Sequence, residues 1–161
     1  MITPQELASA YALDLATAKE QTEGLTHADS VLQPPVQGNC LNWVMGHVLD
    51  TRNDVLKLLG QPEILTAAQA KRYGYGSDPV CGDGPGLVKF DKMVALLEKS
   101  QASIEAGLAR LTPEQEAKTV DSFLGPVTLA FYLVVLYHHE SYHLGQAEIL
   151  RQLALAQRKA P

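Results

Sequence analysis

The chain has 161 residues, 46% of them hydrophobic, and a net charge of −5 with acidic and basic residues mixed along its length. That is enough for one domain, residues 1–161, with a sizeable core. It carries neither the basic footprint of a nucleic-acid-binding protein nor a polybasic arm for a membrane surface.

Asp14, Lys19, Glu20 and Glu23 fall within residues 1–25, which therefore read as neither a secretion signal nor a membrane span. The longest apolar run, Leu129 to Tyr137, is far too short to cross a bilayer. Cys40 and Cys81 are far apart and form no CxxC. They read as free thiols of a reducing, cytoplasmic compartment.

In chain order, Thr3-Pro4-Gln5-Glu6 is a helix start, with Thr3 as N-cap, Pro4 at the first helical position and Glu6 closing a capping box. Leu7, Tyr11, Leu15 and Ala18 mark one face of this first helix, which runs to about Glu23 before Gly24. Residues 25–38 read as a connector with Pro34-Pro35 and an exposed His27. Asn39 is the expected cap of a second helix over about 40–59, stopped by Gly60 and Pro62. His47 lies beside that helix's apolar stripe. Arg52 lies on the stripe, where it needs a carboxylate partner, an outward reach, or a place in a pocket binding an anionic substrate.

Residues 61–86 are rich in Gly and Pro, with a short helix expected from Thr66 to Arg72. A loop this long inside a domain is more often functional than filler. Tyr73 and Tyr75 either cover a pocket mouth or pack for stability. A third helix over about 87–110 keeps the near-heptad stripe of an antiparallel bundle. Thr112-Pro113-Glu114-Gln115 opens a short helical turn, residues 118–125 are irregular or extended, and Gly125-Pro126 launches the last helix. Four long amphipathic helices with one elaborate crossover after the second give an all-α four-helix bundle.

Residues 128–153 carry the chemistry. On a helical wheel Tyr132, Val135, Leu136, Leu150 and Leu153 form an apolar face, with His139, His143 and Gln146 near its centre. Glu140, Ser141, Glu148 and Arg151 fall on the solvent side. His139 and His143 are i and i+4, so their imidazoles project from successive turns and can converge on one metal ion. His138 reads as a surface histidine at the edge of the face.

Asn42-Trp43-Val44-Met45-Gly46-His47 on the second helix and His139-x-x-x-His143-x-Gly145-Gln146 on the last together resemble the DinB/YfiT-like family of four-helix-bundle metalloproteins. Tyr73-Gly74-Tyr75-Gly76-Ser77 also fits that family's loop after the second helix. The resemblance implies a divalent metal (zinc, nickel, iron or copper) held by His47, His139 and His143, with Gln146 lining the pocket or hydrogen-bonding a ligand. It also implies a thiol-dependent transferase or isomerase using bacillithiol or mycothiol, a small-molecule substrate, and frequent homodimers. Asp50, three residues beyond His47, is a candidate to orient that imidazole.

The same segment spells HExxH, in which Glu140 would be the base of a zinc hydrolase. No third ligand of the protease type follows it, which leaves hydrolysis of a small amide or ester as the variant. The absence of paired ExxH motifs argues against a di-iron site. The non-enzymatic alternative is a metal-stabilised stress-response bundle.

Overall fold

The computed structural model describes residues 2–158. Its elements are α1 (Pro4–Thr22), α2 (His27–Ser30), α3 (Leu41–Leu58), α4 (Ala67–Tyr73), α5 (Phe90–Leu108), α6 (Pro113–Glu116), β1 (Thr119–Val120), β2 (Val127–Thr128) and α7 (Leu129–Arg158). The expected all-α bundle forms from α1, α3, α5 and α7. Helix α3 packs against α5 and α7, and α1 packs against the same two. Among the described residues no helix is long and apolar enough to cross a membrane.

Local chemistry sets most of the boundaries. The Thr3–Glu6 box closes as expected, and the same device opens α4 (Thr66, Gln69) and α6 (Thr112, Gln115). It also opens α2, where Thr26 and Asp29 cap a helical turn inside the segment expected to be a plain connector. Helix α3 departs from expectation at its start: Cys40, not Asn39, is the N-cap, and no side chain caps it. Helix α5 begins at Phe90 rather than near 87. The extended piece before α7 pairs as a two-residue antiparallel hairpin, Thr119 opposite Thr128 and Val120 opposite Val127, so α7 starts at Leu129.

The core has two apolar halves with a polar layer between them. One half contains Leu41, Met45, Leu49, Phe90, Met93, Leu97 and Leu144. The other contains Leu7, Tyr11, Val55, Leu56, Ile104, Leu108, Leu133 and Leu136. Between them lies Arg52, fully buried, with all five N–H groups engaged. Nε donates to both Glu140 oxygens at 3.0 and 2.9 Å, and Nη2 to Glu140 Oε1 at 2.6 Å and to the Tyr11 carbonyl at 3.3 Å. Nη1 donates to the Leu97 carbonyl at 3.1 Å and to Ser100 Oγ at 2.9 Å. One side chain of α3 thus ties α1, α5 and α7 together. Its guanidinium also lies 5.5 Å from the centre of the Tyr11 ring.

This layer overturns one sequence expectation and decides between the alternatives left open at Arg52. Glu140 does not face solvent: it is 1% exposed. Arg52 finds its carboxylate partner and does not reach a pocket. The buried face of α7, running through Leu129, Leu133, Leu136, Glu140, His143, Leu144, Ala147 and Ala154, is rotated by roughly 80° from the wheel position that the apolar residues suggested. The histidines therefore lie at the edge of the core stripe instead of its centre, which is what leaves them open to a cavity.

Tyr73 is fully buried and does not sit at a pocket mouth. Its hydroxyl donates to Asn42 Oδ1 at 2.9 Å and accepts from the Val88 N–H at 2.8 Å. Its ring lies where a Cβ on Gly46 would stand, 2.2 Å from the nearest ring carbons. Gly46 is therefore the residue that lets the crossover approach α3. Gly46→Ala is expected to lower stability by about 1–3 kcal/mol through overpacking, read as a shift in the urea midpoint at unchanged slope.

Candidate metal centre

Three histidines from two helices meet at one end of a cavity. His47 comes from α3, and His139 and His143 from α7. One ring nitrogen of each lies within 4.8 Å of the others. His47 is 7% and His143 9% exposed. The Nε2 atoms of His139 and His143 are 3.1 Å apart. Two nitrogens each about 2.0–2.1 Å from a shared ion stand roughly 3.0–3.4 Å apart in tetrahedral or octahedral geometry, so this pair is already at ligand spacing.

The opposite ring nitrogens fix the orientation. His47 Nδ1 donates to the Tyr73 carbonyl at 2.8 Å, so its Nε2 carries the lone pair. His143 Nδ1 donates to Gln146 Oε1 at 2.6 Å, with the same result. His139 Nδ1 is 3.3 Å from Thr51 Oγ1, a hydroxyl that supports either tautomer because it both donates and accepts. His47 Nε2 has no hydrogen-bond partner among the described residues. That lone pair is free to join a cation shared with the ring nitrogens of His139 and His143. The donor set fits a divalent metal ion. Three imidazoles also leave coordination positions free for a ligand, the arrangement of catalytic rather than structural sites.

Electrostatics favour the neutral, metal-ready rings. Burial pulls the His47 imidazole below its usual range. Burial does the same to His143, against the opposing hydrogen bond to Gln146. Burial, then the neighbouring His143, His47 and His138, pull His139 down to about 4.

The hydrogen bond that orients His47 comes from the Tyr73 carbonyl, not from Asp50, so Asp50 does not have the orienting role toward His47 that its spacing suggested. Asp50 instead lines the cavity, and burial together with Asp54 pushes its carboxyl up to about 6. The cavity measures about 530 Å³ and is lined by His47, Asp50, Thr51, Asp54, Tyr75, Phe123, Tyr132, Leu136 and His139. Tyr75, 98% exposed, stands at its rim as one of the two expected tyrosines. Phe123 and Tyr132 meet edge to face with centroids 5.9 Å apart on the other side. Glu140 is not among the lining residues, and both its oxygens are held by Arg52. Gln146 is solvent-exposed but bonded to His143. His138 is exposed, as expected, and Cys40 and Cys81 are free thiols, the first buried and the second exposed.

Sequence reasoning missed Thr51, Asp54, Phe123 and the Tyr73 carbonyl. Thr51 and Asp54 were discoverable, since they share a helix face with His47 at i+4 and i+7. The carbonyl and Phe123 arrive through loops and leave no spacing signal.

Comparison with known proteins agrees with this architecture. No curated protein sequence matches the chain. The solved structure of a conserved protein from Enterococcus faecalis superimposes with a TM-score of 0.74 at 18% identity, covering 97% of this chain and 99% of that one. A DinB-like protein from Bacillus cereus ATCC 10987 superimposes with a TM-score of 0.69 at 16% identity, covering 95% and 93%. At such identities the likeness concerns the fold. The model of the DinB superfamily matches residues 14–147, from the middle of α1 to past the last histidine, and by that match the chain belongs to the DinB superfamily.

Proposed function

We propose that this chain is a divalent-metal-dependent enzyme that joins a low-molecular-weight thiol, of the bacillithiol or mycothiol type, to an electrophilic small molecule. The observation that carries this reading is the convergence of His47, its Nε2 free, with the 3.1 Å His139–His143 pair, where His47 and His139 line a cavity large enough for a small molecule.

His47, His139 and His143 would hold the ion, and zinc, nickel and iron all suit such a donor set. A divalent ion there supplies a lowered pKa to a bound thiol, generating a nucleophile near neutral pH. The Tyr73 carbonyl, Gln146 and Thr51 keep the three rings aimed. Phe123, Tyr132 and Leu136 give the cavity an apolar wall beside the reacting atoms, with Tyr75 at its rim. The carbon–sulfur bond forms as the bond from that carbon to a halide or an epoxide oxygen breaks with its electron pair, and the thiol proton passes to solvent or to the opened alkoxide. Hydrolysis with Glu140 as base lacks structural support, because that carboxylate is sealed against Arg52. The reading includes a cytoplasmic location and a homodimer, the latter supported by the exposed Phe131, Tyr142 and Ile149 on α7.

The test uses chain stripped of metal and reloaded with zinc, nickel or iron. Each form is given bacillithiol or mycothiol and a panel of haloalkanes and epoxides, with thioether formation followed by mass spectrometry. Metal-dependent product, lost in His139→Ala, is the expected result. Absence of product, together with a cobalt-loaded spectrum that no thiol alters, would reduce the protein to a metal-binding bundle without turnover.

A further inference from the structure

The cavity has a wall whose chemistry the transferase reading does not use. Helix α3 presents His47, Asp50, Thr51 and Asp54 to it, all on one helix face. Of the nine lining residues, three are aromatic and two are carboxylates, and none is a lysine or arginine. Asp50 makes no hydrogen bond or ion pair among the described residues; its electrostatic neighbours are Asp54, Lys57 and Glu63. Lys57 is the one cation there, and it is shared between Asp54 and Glu63 at 3.5 Å each. Three carboxylates thus surround one ammonium that is already divided, and the wall keeps an uncompensated negative charge. The buried His47, with its free Nε2, opens on the same space and marks it as a place for a ligand.

We propose that the substrate of this cavity carries a cationic amine, seated against Asp50 and Asp54 beside the rings of Phe123 and Tyr132, with its reactive end toward the three histidines. The inference rests on that cavity being the substrate site of the transferase. Carboxylates supply charge-assisted hydrogen bonds to an ammonium, and aromatic faces attract the same cation. A cation between Asp50 and Asp54 also relieves the mutual repulsion that helps to raise the Asp50 carboxyl. Seven residues of α3 separate His47 from Asp54, about 10 Å along the axis. The amine therefore sits several bonds from the reacting carbon, and an anionic or bare hydrocarbon substrate is disfavoured by the same wall.

Isothermal titration at pH 8 of zinc-loaded and metal-free protein with four probes tests this: 4-phenylbutylamine, its N-trimethyl derivative, 4-phenylbutanol and 4-phenylbutanoate. The trimethyl compound cannot ligate a metal, so a preference for it reports the wall alone. Both cations are expected to bind about tenfold or more tightly than the alcohol in both protein forms. That advantage should shrink in Asp54→Asn, whose side chain is half exposed, and vanish in the double variant Asp50→Asn/Asp54→Asn. Equal binding of alcohol and cations to wild type, or cations that keep their advantage in Asp54→Asn and the double variant, would overturn the proposal. Charge preference without thioether formation would leave this inference standing and sink the transferase reading; thioether formation without the preference would do the reverse.

Discussion

Arg52→Ala is expected to destabilise the bundle by about 3–5 kcal/mol, because it strands a buried carboxylate without its counter-ion. Glu140 is 1% exposed, so it has no water to turn to. The Ser100 hydroxyl, the Tyr11 carbonyl and the Leu97 carbonyl each lose the hydrogen bond from Arg52 in the same step. Glu140→Ala should cost a similar amount for the mirror reason, leaving a guanidinium in the core. Replacing both together, Arg52→Met with Glu140→Leu, should recover most of the loss, since well-packed apolar residues often equal a buried pair. Urea midpoints of the four proteins give the answer. A loss below about 1 kcal/mol in either single variant would mean that the pair is as weak as a surface one. The clamp also bears on the site, because Thr51 and His139 are the immediate chain neighbours of Arg52 and Glu140. The single variants should therefore bind metal more weakly than their residual folded fraction accounts for.

His143→Ala is expected to drop metal content from near one ion per chain to a small fraction, measured by elemental mass spectrometry on tag-free protein. It removes one of three ligands and also the partner that holds His139 at 3.1 Å. Gln146→Leu, which keeps all three ligands but frees the His143 ring, should weaken binding by about 10–100-fold. Acidification provides an independent check with a definite sign. Protons compete with metal for the same Nε2 atoms, and burial holds these imidazoles below their ordinary range, His139 at about 4. Metal should therefore stay bound as the pH falls through the usual histidine pKa of about 6.5, and be released closer to 4. Full metal content in His143→Ala would place the ion elsewhere.

The helices were legible because their signals are local. Thr3 with Glu6, Thr66 with Gln69 and Thr112 with Gln115 are caps written within four residues. The i, i+4 pairing of His139 and His143 is equally local. Turn α2 was legible in principle from Thr26 and Asp29 but was masked by the prolines that follow. What could not be read was the orientation of α7 about its axis. A wheel assigns polar residues outward, and only the arrival of Arg52 from another helix makes Glu140 a core residue. The same error placed the histidines too deep. Tyr73 was left open between a pocket mouth and packing because its role uses a backbone carbonyl and a ring against Gly46, neither of which residue type announces.

Trp43, the chain's one tryptophan, stacks on His47 with ring centroids 4.8 Å apart and planes at 21°, and its indole N–H donates to Ser77 Oγ in the crossover at 2.9 Å. The molecule therefore carries its own optical reporter, in contact with a metal ligand on one side and with the crossover on the other. A paramagnetic ion such as nickel or copper in the site should quench the indole emission, whereas zinc should change it only slightly. Release of Ser77 should shift the spectrum to the red without quenching. Loading of the centre and movement of the crossover thus register as two separable fluorescence signals from a single unlabelled residue.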